Sequence, residues 1–258
     1  MTKKICTIVF DLDETLGHFS QLYIFLNLVQ GYLKRKFKKE EFFEMLDLFP
    51  EFLRPDIINV LKRIVQKLEN KECYSVMIYT NNNGPKFWCE YIIAYFHYRL
   101  NYEIFGHIIS AFKIGNKKIE LRRTSHAKSY TDFINCTQLP DTTQVCFIDD
   151  QHYSKMEHEN VVYIHINPYM RNIPFSTMAI KYYNNNPDLF KEQEIDKFIN
   201  YIDLYSCNYK LDYLNKSDVE EKIDYLISQR IIKEIDIFFQ EVNINYKTKN
   251  RTQKNRKK

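Results

Sequence analysis

Four apolar, largely β-branched runs of strand length punctuate the chain: Ile5–Phe10 (ICTIVF), Cys73–Tyr79 (CYSVMIY), Val145–Ile148 (VCFI) and Val161–Ile166 (VVYIHI). None alternates strictly with polar positions, which is the pattern of strands buried on both faces of a parallel sheet. Between the first two, Asp56–Asn70 (DIINVLKRIVQKLEN) carries apolar residues at 57, 58, 60, 61, 64, 65 and 68, one face of a helix, with Pro55 and Asp56 suited to its first turn. Strand, helix and strand in this order form a right-handed crossover. The expected class is α/β, a three-layer sandwich with a mainly parallel central sheet.

The segment 17–54 is too long for a plain loop, and its centre, Tyr23–Lys39, is expected to be helical with a basic end at Lys34, Arg35, Lys36, Lys38 and Lys39. A second insert, at about 84–127, divides into aromatic, helix-like Lys86–Leu100 and a hairpin candidate, Ile108–Ile114, Gly115-Asn116 and Lys117–Arg122. Helical spacing recurs at about 188–205 and 217–243. The expected organisation is one α/β domain over 1–185, a helical extension over 186–243, and a basic, disordered tail over 244–258.

Three of the apolar runs end abruptly in polar clusters: Asp11-Leu12-Asp13-Glu14-Thr15, Thr80-Asn81-Asn82-Asn83-Gly84 and Asp149-Asp150-Gln151. Ligands of open parallel sheets bind beyond the carboxyl ends of the strands. One convergent site built from Asp11, Asp13, Thr80, Asn81, Asp149 and Asp150 is therefore expected.

Composition narrows the alternatives. With 258 residues, 45% hydrophobic and 27% charged, the chain can bury a sizeable core without disulfides or a structural metal. Its five Gly and four Ala against 20 Tyr and 19 Phe reflect the codon bias of an AT-rich genome more than any chemistry, yet they remove the Gly-rich nucleotide loops. The six cysteines have no metal-ligand spacing, and Cys6, Cys73 and Cys146 sit in or beside apolar runs, as reduced core thiols of an intracellular protein do. The N-terminal run is too short for a signal peptide or a membrane span. Net charge is +4, and seven cations lie between Lys247 and Lys258, so that tail is either a solvated end, an import signal or a weak nucleic-acid contact.

Asp-x-Asp-x-Thr directly after a buried strand turns two carboxylates into one space. One can attack phosphorus while the other protonates the leaving oxygen. Crowded carboxylates beside a phosphate dianion call for a hard cation, so Mg²⁺ is expected, held by Asp11 and Asp150 with the backbone carbonyl of Asp13. The same crowding is expected to raise the pKa of Asp13.

These motifs resemble those of the haloacid dehalogenase superfamily over about residues 5–168, with Asp11-Leu12-Asp13-Glu14-Thr15-Leu16 as the first, Thr80 as the second and Asp149-Asp150 as the acidic fourth. DLDETL followed by His18, Phe52-Leu53-Arg54-Pro55 opening a helix, and Tyr79-Thr80 look like the phosphatases of the carboxy-terminal domain of RNA polymerase II and the NLI-interacting-factor-like proteins. The resemblance implies a nucleophile at Asp11, a general acid and base at Asp13, phosphate donors at Thr80 and neighbouring Asn81, a cation at Lys128, and a metal ligand at Asp150 supported by Asp149. It implies a phosphoserine or phosphothreonine protein substrate, such as the polymerase tail, and a place in the nucleus or cytoplasm. A small-metabolite, nucleotide or nucleic-acid-end phosphatase is the alternative, and a non-catalytic binding module on this fold a second.

The chain departs from the pattern at Lys128-Ser129-Tyr130, where Lys-Asp-Leu is usual, and at Asp149-Asp150-Gln151-His152, where a small residue and Pro follow the acids. Lys113, Lys117 and Lys118 therefore compete with Lys128. Trp88 with Phe87, Tyr91, Tyr95 and Phe96 either lines a peptide groove or packs a helix on the sheet. Arg122 and Arg123 either hold a second phosphate or guard an edge strand, and His18 and His152 follow the acidic motifs closely enough to touch substrate.

Overall fold

The computed structural model describes residues 5–190, 195–211 and 216–255, with side chains described as far as Val242. In chain order the elements are β1 (Cys6–Phe10), α1 (Ser20–Leu33), α2 (Lys39–Leu48), α3 (Ile57–Glu69), β2 (Ser75–Tyr79), α4 (Lys86–Leu100), β3 (Phe105–Ile109), the short strands β4 (Lys113–Ile114) and β5 (Lys117–Lys118), α5 (Tyr130–Thr137), β6 (Gln144–Asp149), β7 (Val161–His165), α6 (Phe175–Asn185), α7 (Ile195–Ser206) and α8 (Asp218–Asn255).

Five strands form one parallel sheet in the order β3-β2-β1-β6-β7. Successive side chains leave opposite faces. Ile8, Phe10, Val76, Ile78, Cys146 and Ile148 enter one core, while Val9, Met77, Tyr79, Val145 and Phe147 enter the other. The first core is closed by α1–α4 and α6–α8, and the second by α5, through Tyr130, Phe133 and Cys136, with Met156 beside it. This is the expected three-layer α/β arrangement, of Rossmann-like form. No helix among the described residues is long and apolar enough to cross a membrane.

Several elements differ from the sequence reading. Ile108–Ile109 belong not to a hairpin but to a fifth sheet strand, Phe105–Ile109, and the hairpin shrinks to β4 and β5 around Gly115, whose φ is 56°. Gly106 and His107 interrupt the apolar run that would have marked this strand. The basic helix expected over 23–39 runs instead from Ser20 to Leu33 and stops where Lys34 turns left-handed, with φ 52°; a second helix, α2, follows. Both bury their apolar faces in the larger core, through Phe25, Val29, Phe42 and Leu46 among others. Helix α6 has no counterpart in the sequence reading.

The C-terminal helices share the same core: Phe198, Ile202, Ile231, Ile235, Phe238 and Phe239 are buried in it. Ser228 and Gln229 tie α8 to the Pro55 carbonyl and the Asp56 carboxylate, each at 2.5 Å. The backbone of α8 continues to Asn255, through most of the segment expected to be disordered. That stretch contains no Gly or Pro to end the helix; residues 256–258 lie outside the described residues.

Candidate active site

The connections from β1 and β6 leave toward opposite edges of the sheet, so a crevice opens beyond their carboxyl ends. The Asp11 amide donates to the Ile148 carbonyl at 2.9 Å, carrying the β1–β6 ladder one residue further and setting Asp11 beside the Asp149-Asp150 pair. The chain then turns sharply. Glu14 adopts φ 58°, its amide donates to the Gly17 carbonyl at 2.8 Å, and a Cβ on Gly17 would lie 2.4 Å from the Phe52 oxygen, so only glycine fits there.

Arg54 pins this turn from below. Its buried guanidinium donates to the carbonyls of Thr15 and Glu14, each at 2.6 Å, and of Asn167 at 2.8 Å, while its side chain stands 5.6 Å over the Tyr169 ring. Burial lowers its pKa to about 10. Arg54→Met is expected to cost about 3 kcal/mol, because the buried Thr15 carbonyl and the partly buried carbonyls of Glu14 and Asn167 lose their donor. The reading is a lower urea midpoint at unchanged slope; an unchanged midpoint would show that the turn holds itself.

The acids converge on Lys128, just before α5. Its ammonium, 1% exposed, bridges Asp11 Oδ1 and Asp149 Oδ2, the latter at 2.6 Å. Asp150 accepts from the Thr15 hydroxyl at 3.0 Å, while its own amide donates back to that oxygen at 3.1 Å. Asp149 accepts from the Gln151 amide at 2.7 Å, which fixes its second oxygen. Asp11, Asp149 and Asp150 each offer an oxygen within 4.8 Å of the others.

Burial sets the electrostatics. It raises the pKa of Asp11 and lifts Asp149 to about 7, with Lys128 opposing it in both. Burial also works against the charge of Lys128, but the two carboxylates outweigh it and hold the lysine protonated. Asp13 is lifted to about 6 by burial, against the hydrogen bond it accepts from Asn82 at 2.6 Å and with Asp11 adding to the rise. Glu14 is lifted to about 8, mainly by burial, with the charge of Asp13 the strongest of those adding to the rise.

A cleft of about 290 Å³ opens over this group, lined by Asp11, Asp13, Thr80, Asn81, Lys128 and Asp150, with Tyr153 on its rim. Of the expected site residues only Asp149 stands behind the lining. Thr80 Oγ1 accepts from the Asn82 amide at 2.9 Å, and its proton has no acceptor among the described residues, so it is available to the cleft. Both ends of the Asn81 amide are engaged, donating to Tyr153 Oη at 3.0 Å and accepting from Arg123 at 2.8 Å.

The open alternatives of the sequence separate. Lys128 is the lysine in the cleft, whereas Lys113, Lys117 and Lys118 lie exposed on the hairpin. Arg123 neither guards an edge nor faces a phosphate: fully buried, it donates to the carbonyls of Thr80, Ser110 and His126 and lies 4.8 Å over the Tyr79 ring, bracing the Thr80 loop. Arg122 is exposed, with one long bond of 3.4 Å to the Cys136 carbonyl. Trp88 is buried between Tyr23 and Phe42, each 5.1 Å away, and packs a helix.

His18 is buried against the Arg171 backbone, with Nδ1 2.7 Å from the carbonyl, and His152 is exposed beside Glu157; neither lines the cleft. Asn82 and Tyr153 join the site without a signal of their own in the sequence. Asn82 lies within the polar cluster that ends β2, but its partner Asp13 is 69 residues away. Tyr153 carried no signal among 20 tyrosines. Comparison of the chain with known protein families, with curated proteins and with solved structures finds no significant match to any of them.

Proposed function

We propose that the chain is a Mg²⁺-dependent phosphatase of the haloacid dehalogenase type, hydrolysing phosphomonoesters through an aspartyl-phosphate on Asp11. The observation that carries this reading is the difference in surroundings between two carboxyls two positions apart, with Leu12 between them. Asp11 is paired with a buried ammonium and lines the cleft, while Asp13, which forms no ion pair among the described residues, is lifted to about 6. Burial raises the pKa of both acids, but Asp11 has an ammonium in contact that favours its ionised form and Asp13 has none among the described residues; such a difference in surroundings is how one site holds a nucleophile and an acid together.

In the first half-reaction an Asp11 oxygen attacks phosphorus, the bond from phosphorus to the ester oxygen breaks, and Asp13 gives its proton to the departing oxygen. In the second, Asp13 takes a proton from water as the water oxygen attacks phosphorus and the bond to Asp11 breaks. Lys128 offsets charge at Asp11 throughout, and the free proton of Thr80 suits a phosphoryl oxygen. Asp11, Asp149 and Asp150 form an all-oxygen donor set fit for Mg²⁺, which when bound supplies neutralisation of the phosphate dianion.

The openness of the cleft favours a phosphoserine or phosphothreonine side chain on a protein over a small metabolite. Residues 17–54, long enough for a lid, contribute only Ser20 to its lining and turn their apolar faces into the core.

Phosphate release from p-nitrophenyl phosphate is expected to require Mg²⁺ and to cease with EDTA. Its pH profile should be a bell near pH 6: above it Asp13 has lost the proton that the first step needs, and below it Asp13 keeps the proton and cannot act as the base of the second. No release with Mg²⁺, Mn²⁺ or Co²⁺ at any pH from 5 to 8 would sink the proposal.

A further inference from the structure

A second cavity, of about 1030 Å³, adjoins the acidic cleft and shares Thr80, Asn82 and Asn83 with it. Its floor is the edge strand β3, and its walls are the first turns of α4 and the β4–β5 hairpin. Three properties of this groove point to one occupant.

The first is backbone. Among the described residues β3 has a strand neighbour, β2, on one side only, so alternate peptide groups along its outer side have no strand partner. An extended peptide satisfies such groups by lying along the edge. Gly106 leaves room for this, since a Cβ there would meet nothing within 4 Å.

The second is charge. The one acidic side chain of the groove, Glu90, is already 3.3 Å from Lys86, while Lys117 and Lys118 on the hairpin form no ion pair among the described residues. The groove is thus net positive beside a cleft crowded with carboxylates. The third is apolar lining, from Phe105, Ala111, Ile114 and Ile119, without the exposed aromatic platforms on which nucleic-acid bases stack.

We propose that this groove docks an acidic, extended segment of the substrate protein, next to its phosphorylated residue, with Asp or Glu side chains meeting Lys117 and Lys118. The inference rests on the phosphatase reading for the identity of the peptide as a substrate, whereas the peptide-binding arm of its test does not.

Binding of a short unphosphorylated Asp/Glu-rich peptide to the full chain, followed by fluorescence anisotropy, tests it without catalysis. The same peptide with Lys for its acids and a single-stranded oligonucleotide serve as competitors. The acidic peptide is expected to bind best, and Lys117→Glu with Lys118→Glu to weaken it about tenfold at low salt. With a phosphoserine added, the double variant should raise KM by a similar factor and leave p-nitrophenyl phosphate turnover unchanged, because that substrate has no flanking chain.

Equal binding of acidic and basic peptides, indifference to the double variant, or tighter binding of the oligonucleotide would each overturn the docking proposal. Lysine-dependent peptide binding without any phosphate release would support the docking site and fail the phosphatase reading instead.

Discussion

Asp11→Asn is expected to lower turnover of p-nitrophenyl phosphate by about 10³-fold or more while leaving Tm at or above that of the parent. The amide keeps the shape of the carboxylate but cannot attack phosphorus. Stability should not suffer, because the ionised Asp11 is a burden on the fold. Burial raises its pKa above the unfolded value, so the fold favours the protonated acid, and stability falls as pH rises through the folded pKa. A neutral Asn escapes that penalty near pH 7, and Lys128 retains Asp149 as a partner. Kinetic assay with thermal melting reads both halves; retained turnover would place the nucleophile elsewhere.

Lys128→Met should act in the opposite sense on stability. Removing the ammonium leaves Asp11 and Asp149 facing one another in a buried site with no cation between them, a loss of about 3–5 kcal/mol. For a chain of this size that is a fall in Tm of roughly 10 °C. Turnover should disappear as well. The deficit should narrow as pH is lowered from 8 to 5, because the orphaned carboxyls take up protons and shed their repulsion. A deficit constant with pH would mean that the lysine contributes packing rather than charge.

How far the sequence carries can be judged from particular residues. β1, β2, β6, β7 and α3 were legible to within two residues, since each apolar run ends at an abrupt polar cluster or cap. Phe105–Ile109 was not, because a glycine and a histidine break its run and only its pairing with β2 makes it a strand. The acids were legible because they sit at strand ends, where topology alone brings them together. Lys128 was reached only through family resemblance, since a lysine in sequence looks solvated until its partners are known. Arg54 and Arg123 were opaque for a similar reason: each donates to carbonyls supplied by remote segments, and main-chain acceptors leave no trace in residue identity.

The pairing of β1 with β6 also bears on how the molecule is born. Thr15 meets Asp150 across 135 residues, and Lys128 meets Asp11 across 117. Contacts of such separation close large loops and form late relative to local helices and neighbouring strands. During synthesis β1 can pair with β2 long before β6 leaves the ribosome, so the nascent chain carries Asp11 at a strand edge that has no partner. The acid cluster comes into being only when β6 slots in beside β1, and the same event covers that edge.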